Sequence, residues 1–469
     1  MSDVAQVEAS SSGAGSRLDR VFGIDTRSLA VFRMAIGALV VIDALTRLPL
    51  CEEFYTESGA VFLSQYTTLF GWIGEAWWPT TLLCVLALFG ALLCIGVAPR
   101  VTGFVCWALL FDLHRRNPHV LDGGDGTLQH MMLFGLFVPL GARWSVDAWI
   151  KRRRSPRRVL SIGSAALLLQ PAMIYFFSIF LKLDSEAWRD GTAAYYAVAQ
   201  DIWARPLGDW IAARPGTLTT VLTYATLLAE GGCPLLLLSP WLTRVTRPLG
   251  IASLYAMQIG FAFTLELFLF PFVSMAALLP FIGGGLWDRL GLSAGGDGQA
   301  QAQTTTGLRW VGRSVCAVLI GFALLLNVQS AVDRTFLPGA VQRVASTIVP
   351  QGWTMYEDVF KHDFRLMLHG ITPGGERVLM DDGRRGDGWE PMRRLKDDYR
   401  ARTYLERIPS LEGEPAMLCI WAQRVWNETR LPKLQAVELS LVTRRNPLAG
   451  ETADEHSSVL IVWPPFEDR

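Results

Sequence analysis

Lys182 closes a long apolar run, Phe180-Leu-Lys182-Leu-Asp184, and no other lysine stands between Lys151 and Lys361. Two readings of such a lysine stay open. Its stem can lie in lipid while the ammonium snorkels to the headgroups. Alternatively it is partly desolvated, which lowers its pKa toward neutrality and yields a usable general base. His130 is the second candidate. It ends a dense polar stretch, His114-Arg-Arg-Asn117-Pro-His119 followed by Asp122-Gly-Gly-Asp125-Gly-Thr-Leu-Gln-His130. Gly123, Gly124 and Gly126 permit tight turns there, and Asp125 or Thr127 can cap the next helix. A single histidine in this setting is either hydrogen-bonded structure or acid–base chemistry.

A charged side chain in a membrane segment is costly unless paired or hydrated, so each one is a functional hypothesis. Arg33 and Asp43 share one apolar run but lie too far apart to pair along a helix, so each looks for a polar contact on another element. Glu230 sits in Ala229-Glu-Gly-Gly232, whose small neighbours admit a second helix, and its structural role would be as a partner for Arg33. Glu266 lies near a segment end and reads as solvated.

The elements that position these residues follow from composition. Lys+Arg total 43 and Asp+Glu total 43. Charged residues are 18% and hydrophobic ones 51%, with mean hydropathy +0.28. That excludes an intrinsically disordered chain, and without a basic excess it argues against a nucleic-acid partner. Residues 1–21 read as a disordered, Ser/Gly-rich tail with no signal peptide. Apolar runs at 28–49, 79–98, 101–114, 127–142, 159–181, 217–239, 246–266, 268–287 and 310–328 predict about nine transmembrane helices in a domain over 22–328. The runs 101–114 and 127–142 are short. A loop over 288–309 and the basic segment Arg143 to Arg158 mark the cytoplasmic side, and no Lys or Arg lies between Arg47 and Arg100. That places the N-terminus inside and residues 329–469 outside.

Arg115 and Arg116 break this rule unless their loop folds into a polar cavity. Residues 329–469 read as a small α+β domain. A hairpin spans 364–380 around Thr372-Pro-Gly-Gly375, helices cover 389–407 and 414–428, and strands cover 437–442 and 459–463. The fold class is therefore an all-α polytopic membrane domain followed by a small soluble α+β domain. Trp353, Tyr356, Trp421 and Trp426 suit either a partner interface or the core of that domain. The seven cysteines form no CxxC pair, and no Cys/His spacing suggests a metal.

Several stretches resemble the integral-membrane vitamin K-dependent γ-carboxylase family, and specifically its bacterial relatives, the HTTM (horizontally transferred transmembrane) domain proteins. They are Asp25-Thr-Arg-Ser-Leu-Ala-Val-Phe-Arg33 with Gly37 and Asp43; Phe54-Tyr55-Thr-Glu-Ser-Gly59; Arg116-Asn117 with Gly124-Asp125; Pro139-Leu-Gly-Ala-Arg-Trp144-Ser-Val-Asp147; Gln170 with Tyr175-Phe-Phe; and Lys182-Leu-Asp184 with Trp188-Arg-Asp-Gly191. Together they cover roughly residues 22–330.

The resemblance implies that a lysine deprotonates vitamin K hydroquinone. Oxygen then converts the quinol to its epoxide, and the alkoxide formed removes a γ-proton from a protein glutamate, to which CO2 adds. The lysine of the animal enzyme lies in a Lys-Lys-Leu-Asp motif, whose second lysine matches Lys182 and whose first is Leu181 here. Its histidine, in a His-x-x-x-x-Gly stretch ahead of Trp-Ser-Val-Asp, matches His130 and Gly135; it is thought to donate to developing charge. The resemblance thus implies a reduced quinone with O2 and CO2 as reactants, no metal, and a protein or peptide substrate. Departures are a much shorter outer domain and Gln258 where relatives often carry histidine.

Two functional readings follow. One is a quinol-dependent enzyme with Lys182 as base, His130 as helper, and Arg33, Asp43, Arg116, Asn117, Asp125, Asp184, Trp188 and Glu230 as polar support. The other is a non-catalytic lipid- or quinone-binding scaffold whose outer domain recruits a partner. A transporter fits poorly, because hydropathy shows no inverted repeat.

Overall fold

The structure is a computed structural model that describes residues 17–61, 68–152, 156–292, 307–351, 353, 359–384, 386, 388–448 and 454–464. Residues 1–16 of the N-terminal tail, 293–306 of the predicted loop, Arg153, Arg154 and Tyr356 lie outside them.

Helix α1 (Thr26–Thr46) starts where Asp25 caps it, its carboxylate accepting from the Arg27 backbone N–H at 2.9 Å. Helix α2 (Trp77–Ile95) packs on α1. A Cβ on Gly37 would meet Cys94 N at 2.7 Å and Gly90 O at 2.8 Å, so the two backbones touch where glycines face each other. Gly37→Ala is expected to force α1 and α2 apart and cost about 1–3 kcal/mol, read as a lower midpoint of unfolding in detergent. Then follow α3 (Pro99–Arg116), α4 (Gly123–Gly135) and α5 (Ile162–Asp184). Asp122, rather than Asp125 or Thr127, is the N-cap of α4: Asp122 and Asp125 exchange side-chain-to-backbone bonds at 2.9 Å in a capping box.

Next come α6 (Thr217–Leu238), α7 (Thr243–Thr264), α8 (Phe270–Leu278) and α9 (Gly307–Val332). Helix α5 lies against α4, α6 and α9. Among the described residues, five helices are long and apolar enough to cross a membrane: Thr26–Tyr55, Trp77–Ile95, Ile162–Asp184, Thr217–Leu238 and Trp310–Val332. The other four predicted spans fall on helices that differ physically. Helix α4 has 13 residues and α8 has 9. Helix α3 ends on His114-Arg115-Arg116, and α7 carries Arg244 and Arg247 in its first turns. Three short helices, Glu186–Arg189, Ala193–Val198 and Pro206–Ala212, fill the α5–α6 connection.

The C-terminal region begins with α10 (Gly339–Ile348). It continues as β1 (His362–Ile371), β2 (Arg377–Asp381), α11 (Glu390–Asp397), α12 (Tyr399–Arg407), α13 (Glu414–Thr429), β3 (Ala436–Arg445) and β4 (Glu455–Trp463). The strands form one antiparallel sheet in the order β2-β1-β3-β4, with β1 and β3 in register from His362↔Arg445 to Ile371↔Ala436. Helix α13 packs on β3 and β4. Trp421 and Trp426 pack with Trp389 in this region's core.

The helix expected over 389–407 is two. Asp398 breaks it, and its carboxylate accepts from the Arg400 and Ala401 backbone at 2.8 and 3.0 Å, starting α12 in a new direction. The break sets where Arg400 points.

Candidate functional site

Lys182 stands in the last turn of α5 and is buried, 4% exposed. It does not snorkel to lipid. Its Nζ lies 2.5 Å from Glu230 Oε2, on α6, and 5.3 Å from the centre of the Trp188 ring. Ser178 Oγ, one helical turn earlier, donates to the same carboxylate oxygen at 3.0 Å. Glu230 is therefore the partner of Lys182 and not of Arg33. The two helices are in contact, and Lys182 meets Glu230 across them. An ion pair is the opposite arrangement to a lysine alone in an apolar pocket.

The pair lies in a small apolar cavity of about 80 Å³, lined by Trp188, Tyr175, Gln258, Phe270 and Trp353 among others. Gln258 donates to Tyr175 Oη at 3.1 Å and fixes its orientation.

His130 is 1% exposed and lies across Trp353 from that pocket, with ring centroids 5.6 Å apart. Its Nδ1 is 2.5 Å from the Gly126 carbonyl, which only accepts, so Nδ1 carries the proton. Nε2 then accepts from the Gln351 amide at 3.1 Å. The amide's orientation is set by its oxygen, which accepts from Asn327 Nδ2 at 2.7 Å and Trp353 Nε1 at 2.8 Å. Both ring nitrogens of His130 are thus engaged, and a donor role toward a substrate requires Gln351 to turn away. On the far side of Trp353 and Gln351 a larger groove of about 510 Å³ opens, bordered by His114, Asp122 and Gln129. The structure therefore sets Lys182 and His130 beside one indole, in adjacent spaces. Trp353 reaches down to His130 and Gly126 instead of joining Trp421 and Trp426 in the core of the C-terminal region.

The remaining charges form a separate network. Asp43 pairs with Arg47 one turn on, at 3.1 Å, and Arg47 reaches Asp125 Oδ1 at 2.7 Å and Tyr55 Oη at 2.6 Å. Arg400 of α12 descends into the same cluster. Its guanidinium donates to Asp125 at 2.7 and 2.9 Å and also bonds Asp43. All four groups are buried. Burial alone would raise the Asp125 carboxyl, but Arg400, Arg47 and His114 outweigh it and hold it below the usual carboxylate range. Burial and the neighbouring Asp125 push Asp122 the other way.

Arg33 belongs to neither cluster: it donates to the carbonyls of Leu140, Arg143 and Trp144 at 3.0, 3.1 and 2.5 Å. Arg116 and Asn117 donate to the carbonyls of Tyr55 and Phe54 at 3.2 and 2.9 Å, so the basic loop does turn inward. Asp184 is exposed. Glu266 pairs with Arg402 at 2.8 Å. Among the described residues no three His, Cys, Asp or Glu side chains converge to hold a metal ion.

The HTTM domain family model matches residues 23–283, more than half of the chain. The chain belongs to the HTTM domain family. With its long apolar helices, this makes it a membrane protein. Among relatives, it is 31% identical over 109 residues to "Uncharacterized protein YitO" of Bacillus subtilis, covering 22% of this chain and 35% of the relative. It is 22% identical over 160 residues to "Sporulation-delaying protein SdpB" of the same organism, covering 33% of this chain and 46% of the relative. The chain thus spans less than half the length of these curated relatives. No solved structure matches it. The clusters above are drawn from within the HTTM segment except for Asn327, Gln351, Trp353, Arg400 and Arg402, which come from beyond its end.

Sequence reasoning missed Arg47, Gln351 and Arg400, and it read Trp353 as an interface or core aromatic without placing it on His130. Arg47 carried a signal, its i,i+4 spacing from Asp43. Arg400 and Gln351 carried none.

Proposed function

We propose that this HTTM protein is a membrane enzyme of the carboxylase type, in which Lys182 takes a proton from a weakly acidic substrate group. The observation that carries this reading is the Lys182–Glu230 pair sealed between α5 and α6 under Trp188. A buried ion pair is a poor stabiliser compared with packed apolar side chains, so a role in moving protons explains its presence better than adhesion does. Glu230 orients the ammonium and is the group to which its proton can pass, and Ser178 holds Glu230 in place.

The reactants implied by the resemblance are a reduced quinone, O2 and CO2, with a protein or peptide substrate. At about 80 Å³ the Lys182 pocket is smaller than the roughly 300 Å³ at which small-molecule sites begin. A two-ring quinol does not fit wholly inside it, so this reading has the quinol ring lie largely outside the pocket with only its hydroxyl edge reaching Lys182. The groove of about 510 Å³ beyond Trp353 has the volume, and His114, Arg115, Asp122, Gln129, Gln351 and Arg407 are among the polar groups that would meet a ligand there.

For topology we infer a cytoplasmic N-terminus, nine crossings of a bacterial inner membrane and an outer C-terminal region. The basic cluster from Arg143 to Arg158 and the base-free stretch between Arg47 and Arg100 support it.

The test is epoxide formation by purified protein in nanodiscs supplied with reduced vitamin K and oxygen. The expected result is epoxide from the wild type and a rate lower by a factor on the order of 10²–10⁴ for Lys182→Ala, the usual loss on removing a general base. Equal rates would remove Lys182 as the base. The small pocket and the engaged His130 favour a second reading, a lipid- or quinone-binding scaffold. Saturable quinone binding with no epoxide from the wild type would select it.

A further inference from the structure

A cavity of about 430 Å³ lies at the opposite end of α5 from Lys182, which stands in that helix's last turn, whereas Arg158 precedes its first. Three arginines, Arg157, Arg158 and Arg247, border the cavity against one carboxylate among the described residues, Asp25. Asp25 is already engaged, because it pairs with Arg27 at 2.8 Å. Two further acids lie nearby. Asp288 is shared by Arg27, at 2.7 Å, and Arg157, and Asp19 stands 3.4 Å from Arg158 Nε. Arg27, Arg157 and Arg158 thus account for all three acids.

Arg247, near the start of α7, is left over. It is 6% exposed, with its guanidinium 5.6 Å from the centre of the Phe281 ring. Its Nε donates to the Leu237 carbonyl at 3.1 Å, and Nη2 donates to the carbonyls of Val21 and Arg20 at 2.7 and 3.2 Å. These neutral oxygens fix the plane of the guanidinium and leave its charge unbalanced. Among the described residues no carboxylate pairs with Arg247, and Nη1 has no hydrogen-bond partner. Nη1 is not sealed in protein, so it is the edge that Arg247 offers to the cavity. A buried cation without a counter-ion is costly, and an oxyanion at Nη1 would supply both the charge and the missing acceptor.

We propose that this cavity binds the phosphate of an anionic membrane phospholipid, held by Arg247 from below and by Arg157 and Arg158 at the rim. The setting favours a lipid as the source of the phosphate. This end of the bundle carries the basic segment from Arg143 to Arg158, and basic pockets between membrane helices suit anionic headgroups. The volume takes a headgroup but not two acyl chains, for which exposed apolar side chains such as Leu249 and Leu286 stand close in sequence to Arg247 and the lining Gly285. The site is independent of the Lys182 chemistry, which lies at the other end of α5.

The test is native mass spectrometry of the full chain in detergent, titrated with dioleoylphosphatidylglycerol, dioleoylphosphatidylcholine or inorganic phosphate. The expected result is one saturable phosphatidylglycerol adduct. Phosphatidylcholine and inorganic phosphate should each bind at least about tenfold more weakly. The first brings a choline cation toward Arg157 and Arg158, and the second has no acyl chains. Arg247→Gln should abolish the preference for phosphatidylglycerol over phosphatidylcholine. Because Arg247 is buried, Gly285→Glu serves as a second variant. A Cβ there meets nothing within 4 Å, so the fold tolerates it, and the added carboxylate at the cavity wall should weaken phosphatidylglycerol by a similar factor. Equal binding of the two lipids, equal binding of inorganic phosphate, no saturable phosphatidylglycerol adduct, or unchanged affinity in a folded Arg247→Gln or Gly285→Glu protein would each overturn the proposal.

Discussion

Lys182→Met alone is expected to destabilise the protein by about 3–5 kcal/mol, and the double variant Lys182→Met/Glu230→Leu to recover most of that loss. The single change leaves the Glu230 carboxylate buried with only the Ser178 hydroxyl to meet it, at 3.0 Å. The double change replaces both charges by apolar groups of similar length between two helices that already pack against each other. Unfolding in a denaturing detergent series measures each step. The coupling decides whether the pair is a structural unit, and epoxide formation decides whether it is more than that. A double variant that folds as well as the wild type and makes no epoxide would assign the pair to chemistry, because stability would no longer explain the loss. A double variant that is both folded and active would end the base hypothesis. If the single and double variants are equally unstable, the 2.5 Å contact carries no coupling energy, and Lys182 and Glu230 act separately.

The charges that mattered were visible in the sequence because they interrupt apolar runs. Lys182, Asp43 and Glu230 stood out on that ground and Asp125 as part of a dense polar loop, and all prove buried and paired. Their partners were another matter. Glu230 and Arg33 looked complementary because each is an isolated charge in a membrane helix. Arg33, though, is satisfied by three carbonyls of the Leu140–Trp144 turn, and backbone acceptors leave no mark in composition. The C-terminal strands were legible from alternation at 364–369 and 437–442, which fixes the face each side chain takes whatever the tertiary context. The break at Asp398 was not, since Arg393 to Arg407 keeps helical periodicity on both sides of it. Nor was Trp353. An aromatic in a region with its own tryptophan core reads as part of that core, and only the tertiary fold places it against His130. Of the nine spans that hydropathy counted, five fall on helices that, among the described residues, are long and apolar enough to cross; the other four fall on helices that are shorter or carry charges near an end, because hydropathy scores apolar content and not where a helix starts and stops.

Arg400→Met is expected to have the second large effect, a loss of about 3–5 kcal/mol in the hold of the C-terminal region on the membrane helices. Two carboxylates, Asp43 and Asp125, now share two guanidiniums, those of Arg47 and Arg400. Removing Arg400 leaves both acids buried with one cation, and the bidentate bonds to Asp125 at 2.7 and 2.9 Å go unmade. Hydrogen exchange along α12 and protease cleavage within residues 388–448 should both rise, while α5 and α6 keep their protection. Charge balance supplies the internal control. Asp43→Asn in the Arg400→Met background removes the surplus negative charge and should restore part of the protection, whereas Arg400→Lys, which keeps the charge and loses the fork, should fall between. The network is out of water, so raising salt from low to physiological strength should change none of these differences appreciably. A salt-sensitive loss would mean that the cluster is hydrated, and unchanged protection in Arg400→Met would mean that the ring contacts of Tyr399 and Tyr404 and the Tyr404 hydrogen bond to the Ala60 carbonyl hold the region in place without it.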